Sequence, residues 1–449
     1  MRLTILMIAV LAIPVHAAAA TIAVGPSNCS ASAVNSAIAS ANDGDTIQLT
    51  CTGTTTWTST VTIPNTKGIT LMVQGGSNTP KASANFPLTV IASANITAVR
   101  VTVGSNKALS RVSGFKFQNS GTADPFIHIT GQGVGRSGFG GFRFDNNYLD
   151  QISGAAILQV FSNGGPLYGL IDNNTMHNVW RESDQDYGPY VVQIWNDWHG
   201  TDACWGKDGW TNAFNFGDAS FVFVEDNVFE NIQATPNRYT RHYISGELGG
   251  RFVSRYNNFN VTVRSPGGNE TDMMEGHGLC LCDSNGAGVR GGEIYRNTIS
   301  GTAFGRPIMP RGGTWLIYDN VFNAVGSYGT SPYLLEYRAG SSSDQGQCSS
   351  TCPCVTNWTA AVGSSTAFYP LPQQVSGTYI WNNLYQGVNQ SGQVDPGGVQ
   401  RQYIQPGRDY FVSTGKPAAL SSYTPYTYPH PLRGTLGVPP SAPSSLNVQ

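Results

Sequence analysis

One recurring phrase constrains the fold of this chain more than any other feature. Aliphatic or aromatic residues are followed by one or two Asn or Asp, then by a hydrophobe two positions later. It stands as Phe144-Asp145-Asn146-Asn147-Tyr148-Leu149 and as Leu170-Ile171-Asp172-Asn173-Asn174-Thr175-Met176. It returns at 224–229, 255–259, 294–299, 317–322 and 380–385. The last Asn of each phrase falls at Asn147, Asn174, Asn227, Asn258, Asn297, Asn320 and Asn383, leaving gaps of 27, 53, 31, 39, 23 and 63 residues. The shortest gaps read as single coils and the longer ones as a coil plus an insertion. Such a period, with short β runs and Gly or Asn at the corners, describes a parallel β-solenoid. A single coil cannot bury its own apolar face, whereas stacked coils share a continuous core of Ile, Val, Leu and Phe. An Asn at the same corner of each coil accepts the unusual backbone angles there. Its amide can bond to the Asn above and below, satisfying buried polar groups.

Composition supports this reading. Charged residues are only 12% of the 449, about half the roughly 25% of an ordinary domain. The chain carries 53 Gly and 25 Pro, the material of many tight turns. With 40% hydrophobic residues it is not a disordered chain. A net charge of -2 leaves no basic excess for phosphates, which argues against nucleic acid as a partner.

Residues 1–20 read as a signal peptide, with Arg2, an apolar stretch too short to span a bilayer, and Val15-His16-Ala17 before a run of alanines. No later stretch reads as a membrane span. The expected location is secreted or periplasmic, where the eight cysteines can form disulfides. Cys29 and Cys51 flank a short amphipathic helix at 32–42 and are placed to staple it. A strand at 46–49 follows, and the helix is expected to cap the open end of the solenoid. The β domain spans 21–437, with insertions near 195–216 and 339–376. The Tyr- and Pro-rich run from Tyr423 reads as a strap over the solenoid, and 438–449 as a Pro/Ser-rich linker or tail.

The helix followed by Asp43-Gly44-Asp45-Thr46-Ile47, together with the Asn-Asn and Asp-Asn phrases, resembles secreted proteins of the pectate-lyase-like superfamily over residues 30–390. The resemblance implies an all-β, right-handed, single-stranded parallel β-helix with a short N-terminal capping helix. It implies a carbohydrate-active function without settling the activity, because that fold carries lyases, hydrolases, esterases and adhesins.

Between the phrases lies a second set of strands at 156–160, 191–195, 241–244, 274–278, 306–311 and 334–338. If these stack, their outward positions form a column holding Trp195, His242, Glu275 or His277, Arg311, and Glu336 or Arg338. The richest stretch, 272–313, adds Asp272, Arg290, Glu293 and Arg306, with glycines beside them. The most suitable chemistry is a polysaccharide lyase cleaving an acidic polysaccharide by β-elimination. Such an enzyme must neutralise the substrate carboxylate, remove the proton α to it, and serve the leaving oxygen. His277 suits a base or acid near neutral pH. Arg290 and Arg311 suit a bidentate grip on a carboxylate. Glu275 and Glu293 complete the candidate catalytic set, and His242, Trp195, Arg306 and Arg338 are candidate substrate contacts. Asp272, with Glu275, is a candidate calcium ligand.

Two alternatives stand beside the lyase: a glycoside hydrolase on the same groove and a non-catalytic polysaccharide-binding β-helix. Arg306-Pro307-Ile308-Met309-Pro310-Arg311 keeps the arginine spacing of the Arg-x-Pro-x-x-Arg motif of pectate lyases but places its prolines elsewhere. No Asp-Asp pair of the polygalacturonase kind is present. The aromatics Trp195, Trp198, Trp205 and Trp210 are read either as a sugar-stacking edge or as a small satellite core. The row Tyr256, Tyr295, Tyr318 and Trp381 is read as a structural stack. The sequence leaves the oligomeric state open.

Overall fold

The computed structural model describes residues 19–79, 81–132, 141–163, 165–180, 190–197, 209–210, 213–232, 240, 242–262, 272–277, 288–301, 306–323, 333–334, 375–390, 392–394 and 405–434. Residues 1–18 of the expected signal peptide, Arg338, Trp198, Trp205, the six remaining cysteines and the tail at 438–449 lie outside the described residues. Among the described residues no helix is long and apolar enough to cross a membrane.

The chain winds as a parallel β-helix. Successive coils add strands to three long sheets: sheet A with 12 described strands, sheet B with 11 and sheet C with eight. One coil runs through Ala156–Asn163 in sheet C, Gly169–Asp172 in sheet A and Thr175–His177 in sheet B, and returns to sheet C at Tyr190–Trp195. Pairing is parallel throughout sheets A and C. In sheet B it turns antiparallel only at the last hairpin, Leu384–Tyr385 with Val388–Asn389. In-register stacking sets side chains of consecutive coils about 4.8 Å apart. The inward residues form one continuous core, from Val34 and Ile38 of the helix to Ile380.

The helix, α1, runs Ala31–Ser40 and is capped by Ser30, whose hydroxyl accepts from Ala33 N–H. Its Ala31, Val34 and Ile38 are buried, and it packs on strands of the first coils, which covers the open end of the core. Cys29 and Cys51 are joined by a disulfide. That bond closes a loop across 22 residues around α1. Replacing both cysteines by Ala is expected to lower unfolding free energy by about 3 kcal/mol. Chemical denaturation under oxidising conditions reads this directly; an unchanged midpoint would exclude a stapling role.

The corner between sheets A and B is an asparagine ladder. Side-chain amides link Asn147 to Asn174, Asn174 to Asn227, Asn227 to Asn257, Asn257 to Asn297, Asn297 to Asn320 and Asn320 to Asn383, at 2.8–3.1 Å. The structure corrects one rung. Asn257 is buried in the ladder, while Asn258 is exposed and opens the next strand of sheet B, Asn258–Val261. The left-handed backbone also belongs to a different residue than expected. It falls on the position before each ladder Asn: Asn146, Asn173, Asp226, Tyr256, Arg296, Asp319 and Asn382, with φ between 49° and 57°. The ladder Asn is therefore selected for its amide, not for its backbone tolerance.

The same one-residue offset removes Tyr256 from the aromatic stack. Tyr295, Tyr318 and Trp381 stack face to face at 4.7 and 4.2 Å. In the preceding coil that register position is held by Arg255, and Tyr256 instead stacks on Tyr428 at 3.8 Å. Tyr428 belongs to a C-terminal segment laid across sheet A. Tyr423 and Leu432 of that segment join a second apolar cluster with Phe221, Phe223, Tyr295 and Tyr318. Arg433 fixes it to Asp172 at 3.1 Å and to Glu225 at 2.8 Å.

Candidate functional site

Sheet C builds the charged surface. On its inner side Val192, Ile194, Tyr243, Ile244, Met273, Met274 and Ile308 belong to the core. On the other side three rows cross the coils. Register pairs Tyr190, His242, Asp272 and Arg306 in the first row. Gln193, Ser245, Glu275 and Met309 make the second. The third row holds the residues just past the paired positions Ile194, Gly246, Gly276 and Pro310: Trp195, Glu247, His277 and Arg311.

The backbone of the third row is pinned from below. His277 N–H donates to Gly246 O at 2.8 Å, and Arg311 N–H to Gly276 O at 2.8 Å. Position 276 admits only glycine, because a Cβ there would lie 2.3 Å from the ring of buried Trp315.

Glu275 is the hub. Its side chain has no exposure, and its carboxylate meets His277 Nδ1 at 3.0 Å, His242 Nδ1 at 3.0 Å and the Ser245 hydroxyl at 3.1 Å. Arg311 Nη2 contacts both Glu275 Oε1 and His277 Nδ1. Burial alone would push the Glu275 carboxyl up, but Arg311, His242 and His277 together outweigh it and hold the group well below the usual carboxylate range. Asp272 sits between Arg306 at 3.2 Å and His242 at 3.4 Å. There burial wins over those cations and raises its pKa. Glu247 accepts from Trp195 Nε1 at 3.1 Å and lies 3.6 Å from His277 Nε2. The ring of His242 stacks on Tyr190 at 5.1 Å. The side chains of His277 and Arg311 keep 14% and 13% exposure, so both reach solvent from the rim of a buried charge network.

The expected column is thus resolved into distinct rows. Trp195, His277 and Arg311 share one, and His242 shares another with Asp272 and Arg306. Sequence reasoning missed Glu247, Ser245 and Tyr190. The available signal was the alignment of Gly246 with Gly276, which puts Glu247 beside His277.

Two members of the expected catalytic set lie elsewhere. Arg290 stands at the entry to the sheet A strand Gly291–Tyr295, with its guanidinium over Phe214 at 4.2 Å and Trp210 at 5.0 Å. Burial, with Arg251 nearby, pulls it down to about 9. Trp210 donates to Gly288 O at 2.9 Å, so this tryptophan belongs to a satellite packing unit. Glu293 lies on sheet A under the C-terminal segment, accepting from Gly217 N–H at 2.6 Å and from the Tyr423 hydroxyl at 2.5 Å. Burial pushes its carboxyl up to about 7 against both hydrogen bonds. A folded pKa above the unfolded value means the native state binds the extra proton, so stability falls as pH rises from about 4.5 to about 7. Glu293→Gln is expected to flatten that part of the stability–pH curve in urea titrations; an unchanged slope would assign it to other groups.

No protein-family model matches the chain, and no curated protein matches it. Among solved structures, the chain is similar to an alginate lyase from Paenibacillus sp. str. FPU-7, at 15% identity over 69% of this chain and 96% of that one, with a TM-score of 0.30. It is also similar to the PL6 family alginate lyase AlyGC, at 16% identity over 92% of this chain and 57% of that one, with a TM-score of 0.34. Likenesses this distant carry no weight for the site, which rests on the geometry above.

Proposed function

We propose that the chain is a secreted polysaccharide lyase that cleaves an acidic polysaccharide by β-elimination on the outer face of sheet C. One observation carries this reading: an imidazole, His277, and a guanidinium, Arg311, stand on consecutive coils against the same buried, ionised carboxylate, Glu275. Arg311 pairs with the substrate carboxylate and so makes the α proton more acidic; its five donors allow this alongside Glu275. His277 removes that proton. The electron pair left on the α carbon forms the double bond to the β carbon, the bond from the β carbon to the glycosidic oxygen breaks, and that oxygen takes a proton from water. Glu275 orients the imidazole through Nδ1, so Nε2 takes the proton, and Glu247, 3.6 Å from Nε2, stabilises the imidazolium that forms. Trp195, in the same row as His277 and Arg311, offers a ring for a sugar. His242, Asp272 and Arg306 are positioning residues that hold Glu275 and the first row in place.

Calcium takes six to eight oxygen ligands. The oxygens of Asp272 face Arg306 and His242, and those of Glu275 face Arg311, both histidines and Ser245. Both acids are satisfied by the protein's own cations, and among the described residues no three His, Cys, Asp or Glu side chains converge as metal ligands. These donors do not fit a calcium cage, and no step is derived through one. Turnover is accordingly expected to survive dialysis against EDTA; loss on EDTA with recovery on added calcium would overturn that.

The test of the reaction class is the product. Alginate, pectin and glycosaminoglycans are offered in turn, and ultraviolet-absorbing unsaturated uronate ends are expected from at least one. New reducing ends without that absorbance would place the chemistry as hydrolysis.

A further inference from the structure

The corner between sheet C and sheet A holds a cation that the chemistry of sheet C does not use. Register pairs Arg251 with Gly291 and Gly291 with Thr314, so Gly250, Arg290 and Gly313 stand on successive coils at this corner. Arg290 is fixed there by its backbone. Its N–H donates to Gly250 O at 2.9 Å, and its carbonyl accepts from Thr314 N–H at 3.2 Å. The residue before it, Val289, donates to His277 O at 2.9 Å. Both neighbouring coils carry glycine at this position. A Cβ on Gly250 would lie 2.4 Å from Ile194 O, and Gly313 has a φ of +77°.

Two guanidiniums meet the ring of Phe214, Arg290 at 4.2 Å and Arg251 at 5.6 Å. They differ in what else they touch. Arg251 is buried and fully engaged: it donates to Ala213 O and Gly209 O at 2.7 Å each, and Asp197 lies 3.4 Å away. Arg290 touches the rings of Phe214 and Trp210, and among the described residues its side chain meets no hydrogen-bond acceptor and no carboxylate. Its Nε is closed off from solvent, but the residue is only half-buried, and the access falls at the two Nη groups. Burial and the charge of Arg251 both work against the Arg290 cation. An anion at the Nη groups offsets that cost. Paired guanidinium N–H groups take a carboxylate bidentately.

We propose that Arg290 is an oxyanion-docking site, which takes the carboxylate of an acidic sugar at its two Nη groups beside Phe214. It lies around the corner from His277 and Arg311 and uses neither, so it does not depend on the chemistry assigned to sheet C.

The test is ligand-observed saturation-transfer NMR on the full chain with galacturonate, with glucose as the uncharged comparison. Transfer is expected to galacturonate and not to glucose. Inorganic sulfate, added at constant ionic strength, is expected to displace galacturonate because the grip is on the oxyanion. Arg290→Met is expected to weaken binding at least about tenfold, the usual worth of a charge-assisted hydrogen-bonded pair. It removes a buried charge that has no ion pair among the described residues, so its melting temperature should not fall. Arg290→Lys keeps the charge but not the fork and is expected to weaken binding about threefold. Arg311→Ala, matched for folded protein, should retain binding, which separates this site from sheet C. No transfer to galacturonate, equal transfer to glucose, no displacement by sulfate, or unchanged affinity in Arg290→Met would each overturn the proposal.

Discussion

Glu275→Gln is expected to lower turnover on the acidic polysaccharide by about 10²- to 10⁴-fold, the usual contribution of positioned acid–base groups. The substitution keeps the shape of the side chain, removes its charge and replaces one acceptor oxygen with an NH2 donor. Arg311, His242 and His277 then lose the anion they share inside the sheet, and the imidazole loses the acceptor that orients it. Removing one partner from a buried charge network also destabilises, here by about 3 kcal/mol. The pH dependence follows from the depressed folded pKa. Stability from this group is fully present above its unfolded value and is lost as pH falls through the folded one. Wild-type protein should therefore weaken on acidification more steeply than Glu275→Gln. Initial rates and urea melts at neutral and acid pH measure both effects. Wild-type rates in Glu275→Gln would remove Glu275 from the mechanism.

Asn227→Ala is expected to cost about 4 kcal/mol of unfolding free energy. Its amide donates to Ile171 O at 2.9 Å and to Asn257 Oδ1 at 3.1 Å. Its Oδ1 accepts from the backbone and side-chain nitrogens of Asn174, at 2.9 and 3.0 Å. Truncation strands several buried groups at once, each worth about 1–3 kcal/mol when left unmatched. Asn258→Ala is the control: that side chain is exposed and should change stability by less than about 0.5 kcal/mol. Equal losses at both positions would contradict the ladder register.

The coil repeat was legible because a ladder amide is needed at the same corner of every turn, whatever the insertions between. The misplaced rung, Asn258 for Asn257, arose where two asparagines adjoin and Tyr256 takes the left-handed position that Asn or Asp fills in most other coils. The phrase itself favours Asn257, because Phe259 stands two positions after it, as the hydrophobe does in every other coil, and the buried hydrogen bonds agree. The strands of sheet C were legible from their apolar runs and glycines. Their rows were less so, because two successive inward residues, as at Tyr243 and Ile244, break simple alternation. Arg290 and Glu293 were grouped with His277 because they are close in sequence. A stretch of forty residues here passes through all three sheets, so closeness in sequence does not mean sharing a face. Arg290 and Arg311, 21 residues apart on the chain, end on opposite sides of a corner: one over Phe214, the other against Glu275.

The most direct test of the central claim compares the wild type, His277→Ala, Arg311→Ala and Arg290→Lys on whichever uronate polymer yields unsaturated ends. Ultraviolet absorbance is followed in solutions matched for folded protein. The account predicts steady product from the wild type and from Arg290→Lys, and loss of product from both sheet C variants. Full rates from His277→Ala and Arg311→Ala would contradict it.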